Sequence, residues 1–116
     1  MAELFHVSAV DIVQVIRLTL PEALDSGEFD RLNETVLTVI APRAGASWVI
    51  DLSELRYAGS SVLGLLVNIR QRVKESGGRL VICGLSELLL QIFRTCSLER
   101  LFIVRRSLDE AVARAR

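Results

Sequence analysis

The sequence predicts an α/β domain built on a small mixed sheet, with parallel crossovers and one early hairpin. Two strand-like apolar runs open the chain. Three more short apolar runs follow, each behind a stretch of helical periodicity, and a final amphipathic helix closes the order. Strands that alternate with helices join in parallel, because the helix carries the chain back across the sheet.

Leu4 to Val10 and Ile12 to Leu20 are rich in branched apolar residues. In the second run Ile12, Gln14, Ile16, Leu18 and Leu20 share one face, and Val13, Val15, Arg17 and Thr19 the other. The join at Val10-Asp11 lacks the glycine that usually marks a hairpin. Pro21 ends the second run. Asp25 to Glu28 has capping-box spacing, and Phe29, Leu32, Val36, Val39 and Ile40 recur behind it at helical period, closed by Pro42. Ser47 to Leu52 is a short strand led by Trp48, Val49 and Ile50, with Asp51 at its end.

From Ser60 the apolar stripe Val62, Leu65, Leu66, Ile69 and Val73 is helical, with Asn68, Gln71 and Glu75 opposite, and Gly77-Gly78 stops it. Arg79 to Gly84 holds the apolar core Leu80 to Cys83, short enough for a buried strand. Ser86 caps a third helix, whose inner side is expected to carry Leu89, Ile92, Phe93 and Cys96. Leu101 to Val104 is the last strand. Ser107 to Glu110 is a second capping box, ahead of Ala111, Val112 and Ala115. No linker, repeat or low-complexity stretch interrupts the order, so one domain is expected over residues 1–116.

At 116 residues the chain can bury a core without disulfides or metal. Fourteen basic residues balance fourteen acidic ones, which leaves no electrostatic footprint for nucleic acid or an acidic membrane surface. The start, Met-Ala-Glu, has neither a basic region nor an apolar signal core, and no apolar run is long enough to span a bilayer. A cytoplasmic protein without membrane insertion is expected. Cys83 and Cys96 match no redox or zinc spacing and read as two buried, reduced thiols. His6, the only histidine, is expected at a surface or sheet edge.

Enzyme readings find little support. No glycine spacing suits a phosphate-cradling loop, and no serine has an evident partner base. The carboxylate pairs Glu22 with Asp25 and Asp109 with Glu110 fall at helix starts, where acid complements the dipole. The expectation is a non-enzymatic protein with no cofactor and no metal.

Ser60 and Ser61 hold two readings. A hydroxyl here can accept from an orphan amide as a plain cap. A phosphoryl group at the same place adds about −1.5 to −2 charges beside a positive helix end, which the fold tolerates and a docked partner feels. On a helical wheel Leu63 and Val67 fall beside the buried stripe and Gly64 further round, so they either meet a partner or lie under a neighbouring helix.

Asp51-Leu52-Ser53 leading to Gly59-Ser60-Ser61-Val62-Leu63-Gly64 resembles the STAS domain family, and more narrowly the bacterial anti-sigma factor antagonists. Gly77 to Val81 is similar to the family's Gly-Gly entry into a strand. Ser97 to Phe102 resembles its G-L-x-x-L-F element with Ser97 for the glycine, and Ser107 to Ala111 its S-L-x-E-A. The resemblance covers nearly the whole chain and implies helices packed mainly on one face of a sheet of four to five strands. It also implies an antagonist that binds an anti-sigma factor with serine kinase activity, is released by phosphorylation, and is reset by a phosphatase.

By position the phosphoacceptor is Ser60, with Ser61 as alternative; Ser61, one residue nearer the helix body, is otherwise the expected cap. Gly59, Ser61, Leu63, Gly64 and Val67 are the implied partner-binding residues. Two positions depart from the family's pattern, because Gly59 stands for an aspartate and Val62 for a glycine. They keep open a phosphorylation-independent STAS scaffold in a signalling assembly or a lipid-transport ATPase complex. A small-ligand or nucleotide-binding module is a third, more distant expectation.

Overall fold

The computed structural model describes residues 4–21 and 24–116. In chain order its elements are β1 (Phe5–Val10), β2 (Val13–Leu18), α1 (Ser26–Ile40), β3 (Ser47–Asp51), α2 (Ser60–Glu75) and β4 (Arg79–Cys83). Then come α3 (Glu87–Thr95), a 3₁₀ turn (Leu98–Arg100), β5 (Ile103–Arg105) and α4 (Leu108–Ala115). The strands form one sheet in the order β1-β2-β3-β4-β5. β1 runs antiparallel to β2, and every later pairing is parallel.

That order explains where the helices go. The sheet grows in one direction, so crossovers of one hand all return over one face. α1, α2 and α3 are those crossovers. Leu32, Val36 and Ile40 of α1, Leu65, Leu66, Ile69 and Val73 of α2, and Leu89 and Phe93 of α3 pack there against Ile16, Leu18, Trp48, Ile50 and Ile82. α4 follows the last strand, is not a crossover, and covers the reverse face. Its Ala111, Val112 and Ala115 meet Val13, Val15, Val49, Val81 and Cys83. Three helices on one face match the expected layering, and the fourth gives β2 buried residues on both sides.

Local chemistry sets the element ends. The hairpin forms without glycine: Val10 pairs with Val13, and Asp11 in the two-residue connection takes φ 58°. Aspartate tolerates that left-handed conformation better than most side chains. The Asp25 box is complete, with Glu28 N–H donating to Asp25 Oδ1 at 2.7 Å and Asp25 N–H to Glu28 Oε1 at 3.3 Å. Ser86 accepts from the Leu89 amide as read from sequence, and Ser107 accepts from the Glu110 amide, which is one half of the capping box expected there. Gly77 closes α2 at φ +81°, and Gly78 leaves no room for a side chain against the Ala46 carbonyl. Asp109 and Glu110 lie in the first turn of α4. Glu22, paired with Asp25 in the sequence reading, lies outside the described residues.

Two expectations change. Cys96 is not on the inner side of α3; it is the exposed C-terminal cap residue, and only Cys83 is buried. The helix ends at Thr95, so the helical register that would have turned Cys96 inward no longer applies. The last strand begins at Ile103 rather than Leu101, because the 3₁₀ turn uses the preceding residues. His6 is exposed on the edge strand β1, as expected.

Ser97 takes φ 58° between α3 and the 3₁₀ turn. A left-handed conformation costs a residue with a Cβ about 1–2 kcal/mol. Ser97→Gly removes that strain and gives back part of it as unfolded-chain entropy. The variant is expected to be more stable by about 0.5–1 kcal/mol, read as a raised urea midpoint at unchanged slope.

Candidate functional site at the start of α2

The site begins at a carboxylate beneath it. Asp51 ends β3 and is 4% exposed. Its Oδ2 accepts from Arg17 Nε at 3.2 Å and its Oδ1 from the Ser53 backbone N–H at 2.9 Å. Gly84, at φ +78°, passes so near that a Cβ would come within 2.9 Å of Asp51 Oδ1 and 2.8 Å of Ser53 N. The D-L-S segment is thus a pinned turn at the end of the central strand. Across the sheet the register sets His6, Arg17, Asp51, Cys83 and Arg105 in one row.

From that turn the chain reaches α2 through residues 52–59. Leu52, Leu55 and Ala58 are buried, while Ser53, Glu54, Arg56 and Tyr57 are exposed. Ser86 Oγ donates to the Arg56 carbonyl at 3.1 Å, so the serine that caps α3 also holds this loop. Gly59 is the N-cap of α2, at φ −82° and ψ −177°, with no side chain to cap the helix.

Ser60 and Ser61 are the first two residues of α2, and both are exposed. Neither hydroxyl caps the helix. The expectation that Ser61 caps it is therefore corrected: the capping position falls on Gly59, two residues earlier. α1, α3 and α4 each have a side-chain cap and an acidic first turn; α2 has neither. From Ser60 to Ile69 it carries no charged residue at all. Among the described residues its amide end has no side-chain cap and no acid in its first turn, and an exposed hydroxyl stands beside it.

Val62 is half-buried above the stripe formed by Leu65, Leu66, Ile69 and Val73. Leu63 and Val67 are also half-buried, packed on the main core. Gly64 is exposed, with open space around it. The structure brings Gly59, Ser60 and Ser61 together on the rim of a groove of about 750 Å³. Leu20, Leu24 and Phe29 line the groove's apolar side, and Tyr57 stands 65% exposed within it. A Cβ on Gly59 would lie 3.9 Å from the Tyr57 ring. Sequence reasoning missed Tyr57. Its signal was an aromatic in a loop whose neighbouring apolar residues, Leu55 and Ala58, turn inward.

Cys83 lies under α4 on the other side of the sheet. Burial, and secondarily the Asp51 carboxylate, push its thiol up to about 12.

The STAS domain model matches residues 6–111. The chain belongs to the STAS domain family. The fold of this STAS chain is similar to an anti-sigma-factor antagonist (STAS) domain protein from Planctomyces limnophilus, 24% identical with TM-score 0.79 over 96% of this chain and 97% of that one. It is also similar to an anti-sigma factor antagonist from Mycobacterium paratuberculosis, 18% identical with TM-score 0.79 over 96% and 92% of the two chains. The Bacillus cell fate determinant SpoIIAA in its phosphorylated form is 22% identical, with TM-score 0.69 over 97% and 99%. Among the described residues no helix is long and apolar enough to cross a membrane.

Two outcomes follow from this geometry. Gly59→Asp adds an acceptor and a negative charge at a cap whose φ suits any residue. It is expected to stabilise the fold by about 0.3–1 kcal/mol, measured by urea unfolding. For the thiols, Cys96 is expected to react with a disulfide reagent in the folded protein and Cys83 only on unfolding. As pH rises above about 9, the unfolded chain loses a Cys83 proton that the folded chain keeps. Stability then falls by up to about 1.4 kcal/mol per pH unit until about pH 12, and Cys83→Ala flattens that part of the profile.

Proposed function

We propose that this STAS chain is an anti-sigma factor antagonist whose binding to an anti-sigma factor with serine kinase activity is switched by phosphorylation of Ser60. The observation that carries this reading is an exposed hydroxyl at the first residue of α2, with no hydrogen bond among the described residues, beside an amide end that lacks a side-chain cap and an acidic first turn. A phosphate on Ser60 adds three acceptors and a double charge where the helix dipole favours them, so the domain keeps its fold. The same charge falls at the edge of a neutral helix face. A partner seated on Ser61, Gly64, Tyr57 and the half-buried Leu63 and Val67 must then desolvate or repel a dianion. A protein of the same fold, SpoIIAA, has been solved in unphosphorylated and phosphorylated forms, which supports the tolerance half of the argument. On this reading the chain acts by binding in the cytoplasm, without cofactor, and a phosphatase returns it to the binding state.

A second reading is favoured by Val62, which puts a half-buried branched side chain on the groove rim where the family pattern has glycine. It makes the chain a phosphorylation-independent scaffold in a signalling assembly or lipid-transport ATPase complex.

Incubation with the cognate kinase and ATP is expected to add one phosphate, mapped to Ser60, and none to Ser60→Ala. Ser60→Asp is expected to hold or raise stability by up to about 1 kcal/mol while weakening partner binding about 10- to 100-fold. Partner affinity unchanged in Ser60→Asp, in a complex indifferent to ATP, would establish the scaffold reading instead.

A further inference from the structure

The two edges of the sheet differ. β5 is three residues long, ends in Arg105 and is followed by Arg106. β1 is six residues long, Phe-His-Val-Ser-Ala-Val, with no proline, lysine or acidic residue. Edges are ordinarily blunted by charge, proline or shortness, and β1 has none of these. Val7 and Val10 stand 37% and 40% exposed along it, and Ile12 stands 70% exposed at its hairpin tip.

The hydrogen-bond phase of this edge can be read. Thr19 N–H donates to the Leu4 carbonyl at 2.9 Å, so Leu4 and Thr19 form a hydrogen-bonded pair. With Phe5 opposite Leu18, the pairs His6–Arg17, Ser8–Val15 and Val10–Val13 are in the same phase. The N–H and C=O groups of Phe5, Val7 and Ala9 therefore point away from β2, toward the open side.

We propose that β1 is the seam of a symmetric dimer, in which β1 of a second copy pairs antiparallel with it about a two-fold axis at Val7. In that register the outward groups of Val7 meet those of the other Val7, and Phe5 meets Ala9 in both directions. Six backbone hydrogen bonds close. The side chains also fit: a large ring faces a methyl, valine faces valine, and on the reverse face His6 lies opposite Ser8 and Val10 opposite Leu4. Among residues 4–10 no like charges face each other. A two-fold interface needs a surface complementary to itself, and this six-residue strand is one. The two sheets become one of ten strands, and the starts of α2, carried three strands in from the seam by the β3–α2 connection, stay outside it.

The seam is small, so a dissociation constant of roughly 10 μM to 1 mM is expected. Sedimentation equilibrium of the full chain across that range is expected to show a monomer–dimer equilibrium. Amide exchange by NMR is expected to show protection growing with concentration at Phe5, Val7 and Ala9, over the steady protection of His6, Ser8 and Val10. Val7→Lys places two ammonium groups on the axis and is expected to weaken association by at least about 10-fold, with unchanged circular dichroism. Leu88→Lys, on exposed α3 surface, is the control expected to leave the dimer intact. A chain monomeric at 1 mM, a dimer that survives Val7→Lys, or protection of the odd residues only with a different protein present would each overturn the proposal.

Discussion

The Asp51 carboxylate is the constraint on which the site depends. It lies nearly buried at the end of the middle strand, and its two oxygens do separate jobs. One accepts from Arg17 on β2 and the other from the Ser53 amide in the turn. Removing a charge from water costs several kcal/mol unless it is paired, so the carboxylate holds its partners in place. Gly84 completes the arrangement by approaching without a side chain. Arg17 keeps about half of its own side chain in solvent, which lowers the desolvation cost of the pair and confines its role to geometry.

That fixed turn has a mechanical consequence at Ser60, nine residues after Asp51. Residues 52–59 are held by the buried Leu52, Leu55 and Ala58 and by the Ser86 hydroxyl, so α2 starts at a defined place and angle. The helix start is rigidly positioned yet chemically unfinished. Its cap is glycine, its first turn has no acid, and its two serine hydroxyls face water. On the proposed function, stability and switching are thereby separated. The interactions that hold the domain lie under the sheet's end and in the two cores, while the Ser60 hydroxyl makes no hydrogen bond among the described residues.

Much of the fold was legible because its period was strong. The stripe Leu65, Leu66, Ile69 and Val73, the caps at Asp25, Ser86 and Ser107, and the closing glycines after α2 all express local rules. The family resemblance rested on short motifs, and the structure gives two of them a cause: D-L-S is the pinned turn, and Ser97 occupies a left-handed position that glycine would fill at less cost. The candidate site was legible in part. Ser60 could be placed at a helix start from the sequence, but local spacing could not locate the cap or find Tyr57. Both depend on where the chain leaves Asp51 and which loop residues the core draws inward.

What the sequence determined by itself was the order of strands and helices, the apolar stripes, and the presence of serines where a helix begins. These follow from neighbours within four residues along the chain, where periodicity and capping act. Only the tertiary structure decided that α4 covers the reverse face, that Cys96 lies outside, and that Leu63 and Val67 are half-covered by the core. It alone set the row from His6 to Arg105 across five strands and the outward phase of β1. Those outcomes depend on long-range register and on competition for a shared core, which no local pattern encodes.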